Sequence, residues 1–127
     1  MSEENILIAA LFVAVGGAVG ALLRFGAYRI IDSATFPWAT LFVNVLGCFL
    51  AAFLMIGYGN IIPYGMKNFL FVGLFGAFTT MSAMSLDTLN LMSTGEYATA
   101  TANVVLNAGL CILGAIGGSM TANALAA

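Results

Sequence analysis

Long apolar runs interrupted by short polar clusters organise the whole chain. Four runs, at about 5 to 31, 37 to 58, 67 to 93 and 97 to 124, are divided at Arg29-Ile-Ile-Asp32-Ser33, at Gly57-Tyr-Gly-Asn60 with Pro63 and Lys67, and at Ser93-Thr94-Gly95-Glu96. An α-helix needs about 20 mostly apolar residues to cross the hydrocarbon layer. Each run therefore predicts one transmembrane helix, and the even number of crossings puts both termini on one side. The fold class is all-α integral membrane, a single four-helix domain over 1–127 with no room for a separate water-facing unit.

Small residues punctuate the spans at helical spacing, as in Gly16-x-x-x-Gly20 and Gly114-x-x-x-Gly118. Such pairs let helix backbones approach closely in lipid. Phe36, Pro37 and Trp38 open the second span and Tyr97 opens the fourth, the pattern of aromatic anchors at the membrane interface.

Composition confirms the class and narrows the chemistry. Of 127 residues 62% are hydrophobic and only 6% charged, against about 25% charged in a soluble domain. Histidine is absent, which removes the usual general base and the commonest zinc ligand; an enzyme is not expected. Net charge is −2, spread over too few sites to make a basic surface, so nucleic acid is not an expected partner. The first residues, Met1-Ser2-Glu3-Glu4, are acidic where a signal peptide is basic, and they are expected to be retained. Cys48 and Cys111 lie in apolar runs without CxxC spacing and read as packing residues.

Lys and Arg normally set orientation by their excess on the cytoplasmic side. Here Lys67 lies on the side of the termini, Arg29 on the other, and Arg24 within the last two turns of the first span. So weak a bias permits insertion in both orientations. Two inverted copies could then pair about a two-fold axis in the membrane plane, the hypothesis of dual topology.

Polar side chains within the spans are costly in hydrocarbon and face a partner helix or a wet path. Thr40 and Asn44 share one face of the second span, and Asn103, Asn107 and Cys111 repeat the spacing of four in the last. Interhelical hydrogen bonds and a polar pore both satisfy that pattern. The third span carries Gly73-Leu-Phe-Gly76-Ala-Phe-Thr79-Thr80-Met81-Ser82-Ala83-Met84-Ser85, weak helix-forming sequence. It reads either as a continuous helix with hydroxyls bonded to the preceding turn, or as a helix broken near residues 76 to 80 whose freed carbonyls must find partners. Arg24 reads as snorkelling to the interface or as positive potential in an anion vestibule. Asp87, towards the end of the third span, is expected near water.

Together Gly17-Ala-Val-Gly20-Ala-Leu-Leu-Arg24, Thr40-Leu-Phe-Val-Asn44-Val-Leu-Gly47, Gly73-x-x-Gly76-x-x-Thr79-Thr80-x-Ser82 and Asn103-x-x-x-Asn107 resemble the Fluc (CrcB-type) fluoride channels over nearly the whole chain. That resemblance implies a multi-pass protein of the cell inner (plasma) membrane. Its four-helix subunit would have a broken third helix and pair as an antiparallel, dual-topology homodimer with two fluoride pores. It implies a structural sodium ion at the dimer interface, held by backbone carbonyls of Gly76 and Thr79. It implies pore positions at Thr40, Asn44, Thr80, Met81, Ser82, Met84, Ser85, Asn103, Asn107 and Cys111, with Arg24 in the vestibule.

One departure bears on function. Family members usually carry two phenylalanines in a TTFSTF element, and this chain reads Thr79-Thr80-Met81-Ser82-Ala83-Met84. An aromatic ring edge carries partial positive charge, whereas a thioether offers an anion only weakly positive methyl hydrogens. Beside the main reading, passive export of cytoplasmic fluoride, stands a family member with lost or altered conduction. A small multidrug-type proton-coupled exporter is the third reading, and it needs a carboxylate deep in the bundle that the sequence does not place there.

Overall fold

The computed structural model describes residues 3–127, with side chains from Asn5 onward; of the acidic start Met1-Ser2-Glu3-Glu4 expected to be retained, Met1 and Ser2 lie outside the described residues. Helix α1 (Glu3–Ile30) leads through a short loop to α2 (Trp38–Tyr58). The third crossing is composite. Its parts are α3 (Tyr64–Lys67), a π-helical stretch over Asn68–Leu74, α4 (Phe75–Phe78) and α5 (Met81–Ser93). Helix α6 (Tyr97–Ala126) closes the chain. Four segments, Asn5–Ile30, Trp38–Tyr58, Tyr64–Ser93 and Tyr97–Ala126, are long and apolar enough to cross a membrane.

Glycines decide which helices touch. Gly16 and Gly20 of α1 lie so close to the third crossing that a Cβ on either would land on a backbone carbonyl, of Phe69 or of Leu74. From the other side, a Cβ on Gly73 would sit 2.6 Å from the Val13 carbonyl oxygen. The widened π turns run along this seam, so their backbone is in direct contact with α1. On the opposite flank, α6 presents Gly114 to the Val45 carbonyl and Gly118 to the Phe49 carbonyl. Those contacts advance by four residues in the same direction on both helices, so α2 and α6 run parallel and closely apposed.

The outer faces are apolar and open, as lipid-facing surfaces should be: Leu22, Leu23, Ile112, Leu113 and Leu125 are all exposed. Trp38 and Tyr97 are exposed as expected of interfacial anchors, whereas Phe36 is buried with its ring 4.6 Å from that of Trp38. The buried interior is small and includes five polar residues, Thr40, Asn44, Thr80, Asn103 and Asn107.

Candidate functional site

The interior polar residues meet where the third crossing loses its helix. Thr79 and Thr80 are extended (φ −82°, ψ 153° and φ −152°, ψ 110°) between α4 and α5. Two N–H groups are diverted there. In a continuous helix Thr80 N–H would donate to Gly76 O; here it donates to Asn44 Oδ1 at 2.6 Å. Ala83 N–H, the helical partner of Thr79 O, donates instead to Thr80 Oγ1 at 3.0 Å. Thr80 is thus the N-cap of α5, a role its short hydroxyl side chain suits. These exchanges release Gly76 O and Thr79 O from the ladder, and among the described residues no backbone bond from Met81 or Ser82 spans the interruption to Ala77 O or Phe78 O.

Asn44 grips the interruption from α2. Its Nδ2 donates to Thr80 O at 3.1 Å while its Oδ1 accepts from Thr80 N–H, so one side-chain amide pairs with both polar atoms of a single peptide residue. The second Nδ2 hydrogen goes to Asn107 Oδ1 at 2.9 Å. Asn107 in turn donates to the backbone oxygen of Asn103 at 2.9 Å and to its Oδ1 at 3.0 Å. Asn103 donates to Thr88 Oγ1 at 3.0 Å and to Met84 O at 3.3 Å. Every amide hydrogen of the three asparagines is therefore placed within the subunit. The result is a directional ladder that ties α2, α5 and α6 around the extended residues.

Thr40 leaves this ladder although it shares a helix face with Asn44. Its hydroxyl donates to Asp87 Oδ2 at 2.7 Å, which commits its single proton, so Tyr28 O–H must donate to Thr40 Oγ1 across 2.6 Å. The Tyr28–Thr40–Asp87 relay opens into a cavity of about 480 Å³, also lined by Arg29, Asp32 and Ser33, at the end bearing the α1–α2 loop. Asp87 is only half-buried, in keeping with its expected nearness to water.

The residues expected along one path divide into two sets. Thr40, Asn44, Thr80, Met84, Asn103 and Asn107 are buried inside the subunit. Met81, at 71% exposure, forms an open strip on α5 with exposed Ser82 and Ser85. Ser82 Oγ lies 3.2 Å from Thr80 Oγ1, so the strip touches the ladder at the N-cap. Cys111 is half-buried one turn beyond Asn107, and Gly76 is exposed. Arg24 is half-buried on α1, and no hydrogen bond joins it to the ladder among the described residues. Tyr28 and Thr88 are not among the residues the sequence singles out, and Asp87 is singled out only as a residue near water, not as part of a relay; the one usable signal is a carboxylate inside an apolar span.

Comparison with known proteins shows the family. The profile of the family described as "CrcB-like protein, Camphor Resistance (CrcB)" matches residues 11–119. The chain is 45% identical over 107 residues to the protein named fluoride-specific ion channel FluC of Aeromonas salmonicida, covering 80% of this chain and 86% of that one. It is 41% identical over 110 residues to the FluC of Magnetococcus marinus, covering 82% and 89%. With the FluC of a Sulfurihydrogenibium species it shares 38% over 120 residues, covering 91% and 97%. Matches of this extent run through all four crossings, and the chain belongs to the CrcB/FluC family.

Proposed function

We propose that the protein conducts fluoride passively across the membrane, releasing fluoride that has entered the cytoplasm as the neutral acid. The observation that carries this reading is the uncharged, hydroxyl- and amide-built polar seam around Thr79 and Thr80 in a member of a family whose relatives are named fluoride-specific channels. A small, strongly hydrated anion needs hydrogen-bond donors in place of water, without fixed charge that would trap it. Because the asparagine ladder spends its donors internally, the anion's donors come from the exposed strip. Ser82 offers its hydroxyl there with Met81 beside it, while the Ser85 hydroxyl donates to Met81 O at 2.9 Å. The ladder holds the extended residues that present this strip.

A wall on one open face needs a second wall. An inverted second copy supplies it in this reading, in keeping with the weak charge bias, and forms a dual-topology dimer with two pores. Gly76 O and Thr79 O, diverted from their helical partners and near an exposed glycine, fit a structural sodium ion shared with that copy. Such an ion supplies positive charge that satisfies freed carbonyls in hydrocarbon.

The methionines keep a second reading in view, altered conduction. The two are not equivalent: Met81 stands on the open strip, while Met84 is buried at 9% exposure with its carbonyl bonded by Asn103 and Thr88. A methionine at 81 therefore weakens anion contact directly, and one at 84 acts through packing. The test is fluoride accumulation by cells lacking other fluoride exporters, incubated at mildly acid external pH. Cells expressing the protein should hold several-fold less fluoride than controls; equal accumulation at verified membrane expression would contradict the proposal. If Met81→Phe alone restores export, the native chain has lost it.

A further inference from the structure

Two thiols that the asparagine ladder and the serine strip leave aside come together in the same architecture. Asn44 of α2 bonds Asn107 of α6 at 2.9 Å. The two helices run parallel, since Val45 meets Gly114 and Phe49 meets Gly118. One turn further along both, four residues on each, stand Cys48 and Cys111. The register that makes Asn44–Asn107 a rung makes Cys48–Cys111 the next rung, about 6 Å along the axes. Gly114 and Gly118 hold the backbones close enough for short side chains to meet, and the two thiols interact electrostatically. Both cysteines are free and half-buried rather than sealed.

The surroundings select what such a pair can bind. Among the described residues no cluster of three or more His, Cys, Asp or Glu exists, so a zinc-like ion that wants four donors finds too few. Two thiols suit a soft ion of linear, two-coordinate preference. The adduct must also be neutral, because uncompensated charge is expensive in hydrocarbon. Two thiolates on a monovalent ion leave a net negative charge, whereas two thiolates on a divalent ion leave none.

We propose that Cys48 and Cys111 form an intramembrane dithiol site for a thiophilic divalent metal ion, of which mercuric ion is the fitting probe. Both S–H bonds break, two S–Hg bonds form, two protons leave to water, and no atom changes oxidation state. The bridge pins α2 to α6 one turn from the Asn44–Asn107 rung. Its effect on flux rests on the channel reading; its formation does not.

The experiment loads the full-length protein in detergent with mercuric chloride, washes with a monothiol, and measures retained mercury and free thiols by intact mass and thiol titration. Wild type should keep one mercury per chain, lose two hydrogens, and show no free thiol until a dithiol is added. Cys48→Ser and Cys111→Ser, each with one thiol, should retain about a hundredfold less mercury, the scale on which a second tethered ligand raises avidity. Two mercury ions per chain, equal retention by the single variants, or mercury-dependent cross-linking between chains would each overturn the site. Fluoride efflux measured in parallel separates the two ideas. An unmodified protein that passes no fluoride defeats the channel reading and leaves the mercury result to decide the dithiol.

Discussion

Replacing Asn44 with Ala probes the centre of the structure. The variant deletes hydrogen bonds of 2.6, 2.9 and 3.1 Å and leaves Thr80 N–H, Thr80 O and Asn107 Oδ1 without those partners in a buried seam. Interhelical hydrogen bonds in membranes average about 0.6 kcal/mol, so three amount to about 2 kcal/mol. A stranded buried polar group costs about 1–3 kcal/mol, and Thr80 N–H can avoid that cost by swinging back to Gly76 O as a helical bond. The expected loss is then about 2–5 kcal/mol, with partial closing of the interruption. Reversible unfolding in mixed lipid–detergent micelles measures the first, and hydrogen exchange at the Thr80 amide reports the second. Fluoride efflux should fall with them, since the strip at Ser82 loses its support. A stability loss below about 0.5 kcal/mol, the range of an indifferent surface substitution, with efflux intact would refute the idea that Asn44 holds the extended residues.

Other substitutions test separate parts. Gly20→Ala drives a methyl group onto the Leu74 carbonyl and should cost at least the ~1–3 kcal/mol typical of overpacking; Gly17→Ala, with nothing within 4 Å, should stay within about 0.5 kcal/mol in the same assay. Thr40→Val removes the donor to Asp87 and the acceptor for Tyr28. With about 1.5–3 kcal/mol at stake in a bond to a charged group, it should lose about that much in the unfolding assay, whereas Thr40→Ser should retain most of the stability. Met84→Phe enlarges a buried side chain and should destabilise by about 1–3 kcal/mol, while Met81→Phe on the open strip should leave stability unchanged within about 0.5 kcal/mol.

The helices were legible because hydropathy in lipid is a strong, local signal: the charged and Pro-bearing clusters at 29–37, 57–67 and 93–96 divide four apolar segments. Asn103 and Asn107 were legible as a stripe because the spacing of four belongs to one helix. Their partners were not, since Asn44 lies 63 residues from Asn107 and only the parallel packing of α2 on α6 joins them. Thr40 shows the same limit. Spacing aligned it with Asn44, but its hydroxyl turned to Asp87, 47 residues away, because a carboxylate is the stronger acceptor. Sequence spacing also treated Met81 and Met84 alike, and their opposite burial follows from α6 covering one side of α5. The π turns over Asn68–Leu74 left no mark in an apolar sequence, although Gly73 within them sits against α1.

Fluoride movement through the purified protein bears most directly on the whole account. Liposomes loaded with potassium fluoride and holding the protein are diluted into fluoride-free buffer and watched with a fluoride electrode while valinomycin releases the balancing potassium. The account predicts prompt fluoride efflux on valinomycin addition, without need of a pH gradient, and little release from the same liposomes loaded with chloride instead and followed with a chloride electrode. Fluoride retained until detergent lysis, or released only when a proton gradient is imposed, would contradict it.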